Sequence, residues 1–287
     1  VIQSVGKYLS LVKFSHTIFA LPFAVIGFML AIHQQPDAFS EILAVKVLLC
    51  MVFARTAAMA FNRWTDRNID AKNPRTIIRE IPAGQISANA ALYFTILNCA
   101  AFILTTWFIN PLCFGLSFVA LAVVLGYSYT KRFTALCHLV LGIGLSLAPI
   151  GSWIAVIGEF AIVPLLFSGA VLCWVSGFDI IYALQDEKFD RENKLHSIPG
   201  YFGAEKALKI SRNLHLASSL FILAAGFQGQ FHLIYFLGWA FFTGLLIYQH
   251  RLVKPQDLSK VNLAFFTTNG IASVVFSIFV LVDLVFC

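Results

Sequence analysis

Asn62, Asp66 and Asp70 recur every four residues in NRWTDRNID, and Asp179, Tyr182, Asp186 and Asp190 follow a similar spacing in DIIYALQDEKFD. On a helix such a ladder lies along one face, and its carboxylates repel unless a cation neutralises them. Oxygen donors of this kind suit Mg²⁺, which prefers octahedral oxygen ligands and is commonly held by one or two carboxylates together with substrate phosphates. The expected metal ligands are Asn62, Asp66 and Asp70 in the first ladder, with Asp186 and Asp190 in the second. Arg67, Arg75, Arg79, Lys131, Arg132 and Lys194 lie around them in the sequence. Their donors match phosphate oxygens. Metal ions and cations together would stabilise charge developing on a departing diphosphate. A collar of solvated surface ion pairs would account for Arg75, Arg132, Lys188 or Arg191 singly, but it does not require a repeat every four residues.

The elements that carry these ladders are apolar. The chain has 287 residues, 59% of them hydrophobic and 12% charged, with 29 Phe and a mean hydropathy of +0.83. A soluble domain carries about twice that charged fraction, so the composition predicts an integral membrane protein. Apolar runs predict nine spans, near 15–33, 42–61, 90–109, 111–127, 135–157, 160–183, 214–228, 231–249 and 263–286. No cleavable signal stands out, and the run from Ile18 to Ile32 reads as the first span. The amino-terminal segment and the connections near 62–89, 128–134, 184–213 and 250–262 hold 18 of the 20 Lys and Arg. The loops HQQPDAFSE and FINPL hold none. This asymmetry predicts a cytoplasmic amino terminus and cytoplasmic cap loops, placing both ladders on that face of an inner or cytoplasmic membrane. The net charge of +6 is thus a topology signal, and no aromatic and basic module points to nucleic acid. Six cysteines without CxxC spacing read as small hydrophobes, and seven histidines show no paired metal spacing.

Arg55 and Asp179 lie deeper. Each precedes a ladder member, Asn62 or Asp186, by seven residues, about two helical turns. Charges at that depth normally line a cavity or pair with one another. Arg55 is therefore a candidate for the acceptor substrate's polar group, a carboxylate for example; simple pairing with Asp179 is the alternative. In GYSYTKRF, Tyr127 suits an interfacial belt, whereas Tyr129 and Lys131 are better placed for phosphates. The two halves also echo each other: Arg79-Glu80-Ile81-Pro82-Ala83-Gly84 follows the first ladder, and His196-Ser197-Ile198-Pro199-Gly200 follows the second. A diverged duplication, residues 1–134 and 135–262 with a ninth span at 263–286, would make residues 1–287 one transmembrane domain whose ladders face a central cavity.

These motifs, NxxxDxxxD, YxYxKR and DxxYAxxDxxxD, each after an apolar segment, resemble those of the UbiA superfamily of intramembrane prenyltransferases. The resemblance covers nearly the whole chain. It implies an all-α bundle of nine transmembrane helices around a central cavity and Mg²⁺-dependent transfer of a polyprenyl group from its diphosphate. It also implies metal ligation by Asn62, Asp66, Asp70, Asp186 and Asp190, with Lys131 on the phosphates and Asp179 and Tyr182 opening the second motif. The expected catalytic set is Asp66, Asp186, Lys131 and Asp179; the diphosphate set is Arg67, Arg79, Tyr129, Lys131 and Lys194; the acceptor set is Arg55 and Tyr182. HTIFALPFA, ARTAAMAFNR and GFDIIYALQDEKFDRENKLHSIP are most similar to the 4-hydroxybenzoate branch and its menaquinone-pathway relatives. The expected partners are a polyprenyl diphosphate, an aromatic acceptor such as a benzoate, and the bilayer. Naphthoate, porphyrin or phosphosugar acceptors are the alternatives within the superfamily, and an anion transporter is the alternative outside it. One departure is Arg63, which stands where many members carry a second acidic residue.

Overall fold

The computed structural model describes residues 2–12 and 19–287. Among these residues there are twelve α-helices and no strand: α1 Ile2–Leu11, α2 Leu21–Gln34, α3 Glu41–Asp70, α4 Ala88–Trp107, α5 Pro111–Thr130, α6 Cys137–Ile157, α7 Ile162–Ala183, α8 Glu187–Glu192, α9 Ile198–Phe202, α10 Ala204–Gln228, α11 Leu233–Leu252 and α12 Asn269–Phe286. Among the described residues, seven helical segments are long and apolar enough to cross a bilayer: Glu41–Asp70, Ala88–Trp107, Pro111–Thr130, Cys137–Ile157, Ile162–Glu192, Leu233–Leu252 and Leu263–Phe286. The protein is an integral membrane protein. The expected spans at 15–33 and 214–228 coincide with α2, of 14 residues, and with the longer α10. The start of the first span, with residues 16–18 of HTIFALPFA, lies outside the described residues.

The chain divides into two compact units, residues 1–17 with 41–129, and residues 18–40 with 130–287. In the first unit α3 runs unbroken for 30 residues. At 1.5 Å per residue it is about 45 Å long, against a hydrocarbon core of about 30 Å, so its length exceeds the core. Leu11, Ala60, Ile86 and Ala91 form the apolar cluster beside the ladder end of α3, with Tyr8, Trp64 and Phe94 packed around it. Ser87 caps α4 by accepting the Ala90 N–H. Thr95, Asn98 and Thr105 return their side-chain donors to carbonyls of α4 itself. That satisfies them where water is absent.

In the second unit, small residues let helices approach closely. A Cβ on Gly27 of α2 would lie 2.0 Å from the Pro149 carbonyl oxygen of α6, and one on Gly142 would lie 2.6 Å from the Leu172 carbonyl oxygen of α7. Hydroxyls join α10 to α7, Ser211 donating to the Gly177 carbonyl and Ser218 to the Ala170 carbonyl. Trp174, fully buried, packs with Phe23 and Phe242. Asp283, an acid inside the last span, caps α11 by accepting the N–H groups of His232 and Tyr235. A π turn at Leu263–Thr268 precedes α12. Its Ala264 carbonyl accepts side-chain donors from both Gln249 and Asn269.

One expectation about local structure changes. The second ladder is not carried by one continuous α-helix, since α7 ends at Ala183, a 3₁₀ turn covers Leu184–Asp186, and α8 begins at Glu187. The tighter turn alters the register between Asp179 and Asp190, so a four-residue spacing there does not mean a shared α-helical face.

Candidate active site

The first ladder occupies the last three turns of α3. Asp66 is 1% exposed and Asp70 3%. Asn62 donates through Nδ2 to Asp66 Oδ2 at 3.1 Å. The following loop folds back on Asp70: Arg79 Nη1 donates to both carboxylate oxygens, at 2.8 and 2.9 Å, and Thr76 Oγ1 donates to its main-chain carbonyl. Asn73 holds that loop by accepting the Arg75 N–H.

Arg63, the residue that departs from the motif, is buried within electrostatic reach of Asp70, Glu80 and Arg79. Glu80 is buried too, and its carboxylate accepts from the Ser10 hydroxyl. Two cations and two carboxylates therefore lie together behind the ladder, and Arg63 faces charges that compensate its burial. Arg67 turns toward Trp64, donating to its carbonyl at 2.6 Å with its guanidinium 4.9 Å from the ring centre. Tyr129 is 40% exposed and meets Phe61 edge-on. Arg55 is half-buried within reach of Tyr127.

In the second unit Asp190 is the centre. Its Oδ2 accepts from the Ser197 hydroxyl at 2.7 Å and its main-chain carbonyl from the Leu195 N–H at 2.8 Å. Ser197 in turn caps α9 by accepting the Gly200 N–H. Asp186, Lys131 and His138 all lie within electrostatic reach of Asp190. The Lys131 carbonyl accepts the His196 N–H at 2.7 Å, which ties the YSYTKR segment to HSIP. Tyr182 stacks on Phe265 of the π turn, with ring centres 4.1 Å apart. Asp179 accepts from His138 Nδ1 at 2.7 Å. Lys194 is exposed, with its backbone at φ 55°, a left-handed conformation at the end of α8. Lys188 and Arg191 make only exposed pairs with Glu192 and Glu187, the solvated-collar reading for these two.

The donors of both ladders are oxygens, and Asp66 and Asp70 of the first are buried, a set suited to a hard divalent cation. A separate group, His232, Asp283 and Cys287, brings ligand atoms within 4.8 Å of one another. Both oxygens of its Asp283 already cap α11. Two residues that touch the second ladder escaped the reading by spacing: His138 and Ser197. The available signal for His138 was a titratable group at the start of an apolar segment, which in a membrane protein marks function by default.

Known proteins resemble this chain over most of its length. The UbiA prenyltransferase family profile matches residues 20–271. The 4-hydroxybenzoate octaprenyltransferase of Nitrosospira multiformis is 32% identical over 231 residues, covering 80% of this chain and 79% of the relative. That of Shewanella frigidimarina is 30% identical over 257 residues, with 88% and 87% covered. The apo structure of a UbiA homolog from Aeropyrum pernix K1 is similar at a TM-score of 0.84 and 31% identity, covering 93% of this chain and 98% of that one. A UbiA homolog from Archaeoglobus fulgidus bound to GPP and Mg²⁺ shares the fold at a TM-score of 0.75 and 22% identity, with 97% and 99% covered. The chain belongs to the UbiA prenyltransferase family and is a polyprenyltransferase.

Proposed function

We propose that this protein transfers a polyprenyl group from its diphosphate to 4-hydroxybenzoate or a related benzoate, in the making of a quinone. The observation that carries this reading is the repeated construction of the site: in each unit, the loop after the ladder folds back to hold the ladder's last aspartate, Asp70 through Arg79 and Asp190 through Ser197. The similarity to 4-hydroxybenzoate octaprenyltransferases supplies the acceptor class. Nine spans, with α2 and α10 joining the seven long segments, a cytoplasmic amino terminus and a duplicated four-span unit complete the proposal, and the basic loops support that orientation. The expected home is the inner membrane, with the chemistry on the cytoplasmic side.

Asn62, Asp66 and Asp70 would hold one metal and Asp186 with Asp190 another. When bound, Mg²⁺ supplies the electrostatic stabilisation that a leaving diphosphate needs. Arg67, Arg79, Tyr129, Lys131 and Lys194 bind diphosphate oxygens, and Lys131 remains near the leaving group as charge develops. Apolar walls keep water from the allylic cation that forms when the carbon–oxygen bond breaks. Arg55 and Tyr182 orient the acceptor, whose ring carbon bonds to that cation; Asp179 receives the ring proton, and aromaticity returns.

The test is transfer by the purified protein from short allylic diphosphates to a panel of benzoate, naphthoate, porphyrin and phosphosugar acceptors, with and without a chelator. Benzoate-dependent diphosphate release is expected, lost on chelation and lost in Asp66→Asn and Asp186→Asn variants that remain folded. Full activity in either variant, or undiminished turnover with chelator, overturns the metal assignment. Preference for another acceptor overturns the benzoate.

A further inference from the structure

His138, at the start of α6, has 3% exposure, and both of its ring nitrogens are engaged. Ile198 is the first residue of α9, so its N–H is one of the donors that a helix leaves unsatisfied. That N–H donates to His138 Nε2 at 3.3 Å. An imidazole nitrogen that accepts a hydrogen bond carries no proton, and the proton of the neutral ring is then on the other nitrogen. His138 Nδ1 lies 2.7 Å from Asp179 Oδ2, in position to donate to it. The backbone of α9 thus fixes the tautomer, and the tautomer fixes the carboxylate. Asp179 is otherwise open: its side chain is 24% exposed, against 4% for His138.

We infer that His138 is a positioning residue for Asp179, holding one carboxylate oxygen so that the other faces the acceptor in a single orientation. The inference rests on the proposed role of Asp179 at the acceptor. A second observation extends it. Ser197, immediately before Ile198, donates to Asp190, so one two-residue step of the HSIP segment sets both carboxylates, one directly and one through the imidazole. The His196 N–H meanwhile donates to the Lys131 carbonyl. Orientation of this kind acts on the chemical step, because a reacting group held in one geometry avoids the cost of finding it. Displacement of HSIP would disturb Asp179 and Asp190 together, whereas loss of the imidazole should affect Asp179 alone.

Glutamine offers both a donor and an acceptor at similar reach, while leucine offers neither. His138→Leu is expected to lower kcat about 10- to 100-fold, the range for loss of a group that orients a functional residue. KM for the allylic diphosphate should stay close to the wild-type value, and His138→Gln should recover most of the kcat. The inference is overturned if His138→Leu keeps full kcat, if the glutamine variant falls as far as the leucine one, or if kcat, diphosphate KM and melting temperature fail together. Nitrogen NMR of histidine-labelled protein, with His138→Gln assigning the signal, decides the geometry without turnover: Nδ1 protonation is expected, and Nε2 protonation overturns it. Should the wild type transfer to no acceptor at all, the functional reading fails while the tautomer still judges the histidine.

Discussion

Asp70 receives both of its carboxylate hydrogen bonds from one cation, Arg79, and it is nearly buried. Removing one partner of such a pair leaves an uncompensated charge, a loss of about 3–5 kcal/mol where burial is deep. Arg79→Ala should therefore lower the melting temperature of the detergent-solubilised protein in chelator, and Mg²⁺ should narrow the gap by replacing the guanidinium at Asp70. A gap that Mg²⁺ leaves unchanged would count against Asp70 as a ligand. At this scale the ladders are legible from sequence because recurrence every four residues is a pattern, and the sequence states it directly. His138 is not, because one histidine has no spacing to read; its meaning comes from Ile198, sixty positions later in the chain. Arg63 is half legible. The sequence shows an unusual residue beside the ladder, and only the fold shows Asp70 and Glu80 around it.

Helices continue where apolar runs stop. The sequence ends the second span near residue 61, yet α3 extends to Asp70, and α10 begins at Ala204 although its apolar run starts near 214. Polar helix formers account for both extensions, helped at Glu205 and Lys209 by an exposed pair four apart. The π turn at Leu263–Thr268 is hidden for another reason: Gln249, distant in sequence, donates to its Ala264 carbonyl, and nothing in the local composition marks that contact. Ser197 links an element to the chemistry, since it caps α9 and binds Asp190. Ser197→Ala should cost about 1 kcal/mol of local stability as a lost cap. It should also weaken Mg²⁺ binding about 10-fold as a lost partner of a ligand, measured by metal titration of turnover. Unchanged metal affinity would confine Ser197 to capping.

For the whole molecule, charge placed on alternate connections is the feature most readily read from sequence, and it predicts orientation. In a background lacking the six native cysteines, a single cysteine at Lys188 should be labelled by an impermeant reagent only from the cytoplasmic side, and one at Asp37 only from the opposite side. Labelling of both from one side would overturn the topology. The division into two units was not legible, because it follows contacts rather than sequence order: residues 18–40 belong with 130–287. That membership matters during synthesis. Gly27 of α2 is made some 120 residues before Pro149, its close neighbour on α6. At about 5–20 residues per second, α2 waits roughly 6 to 25 seconds for the surface it is shaped to meet. During that interval a short apolar helix must be kept by the membrane or by an insertion factor, so the ribosome's pace sets how long this protein remains open to mispairing.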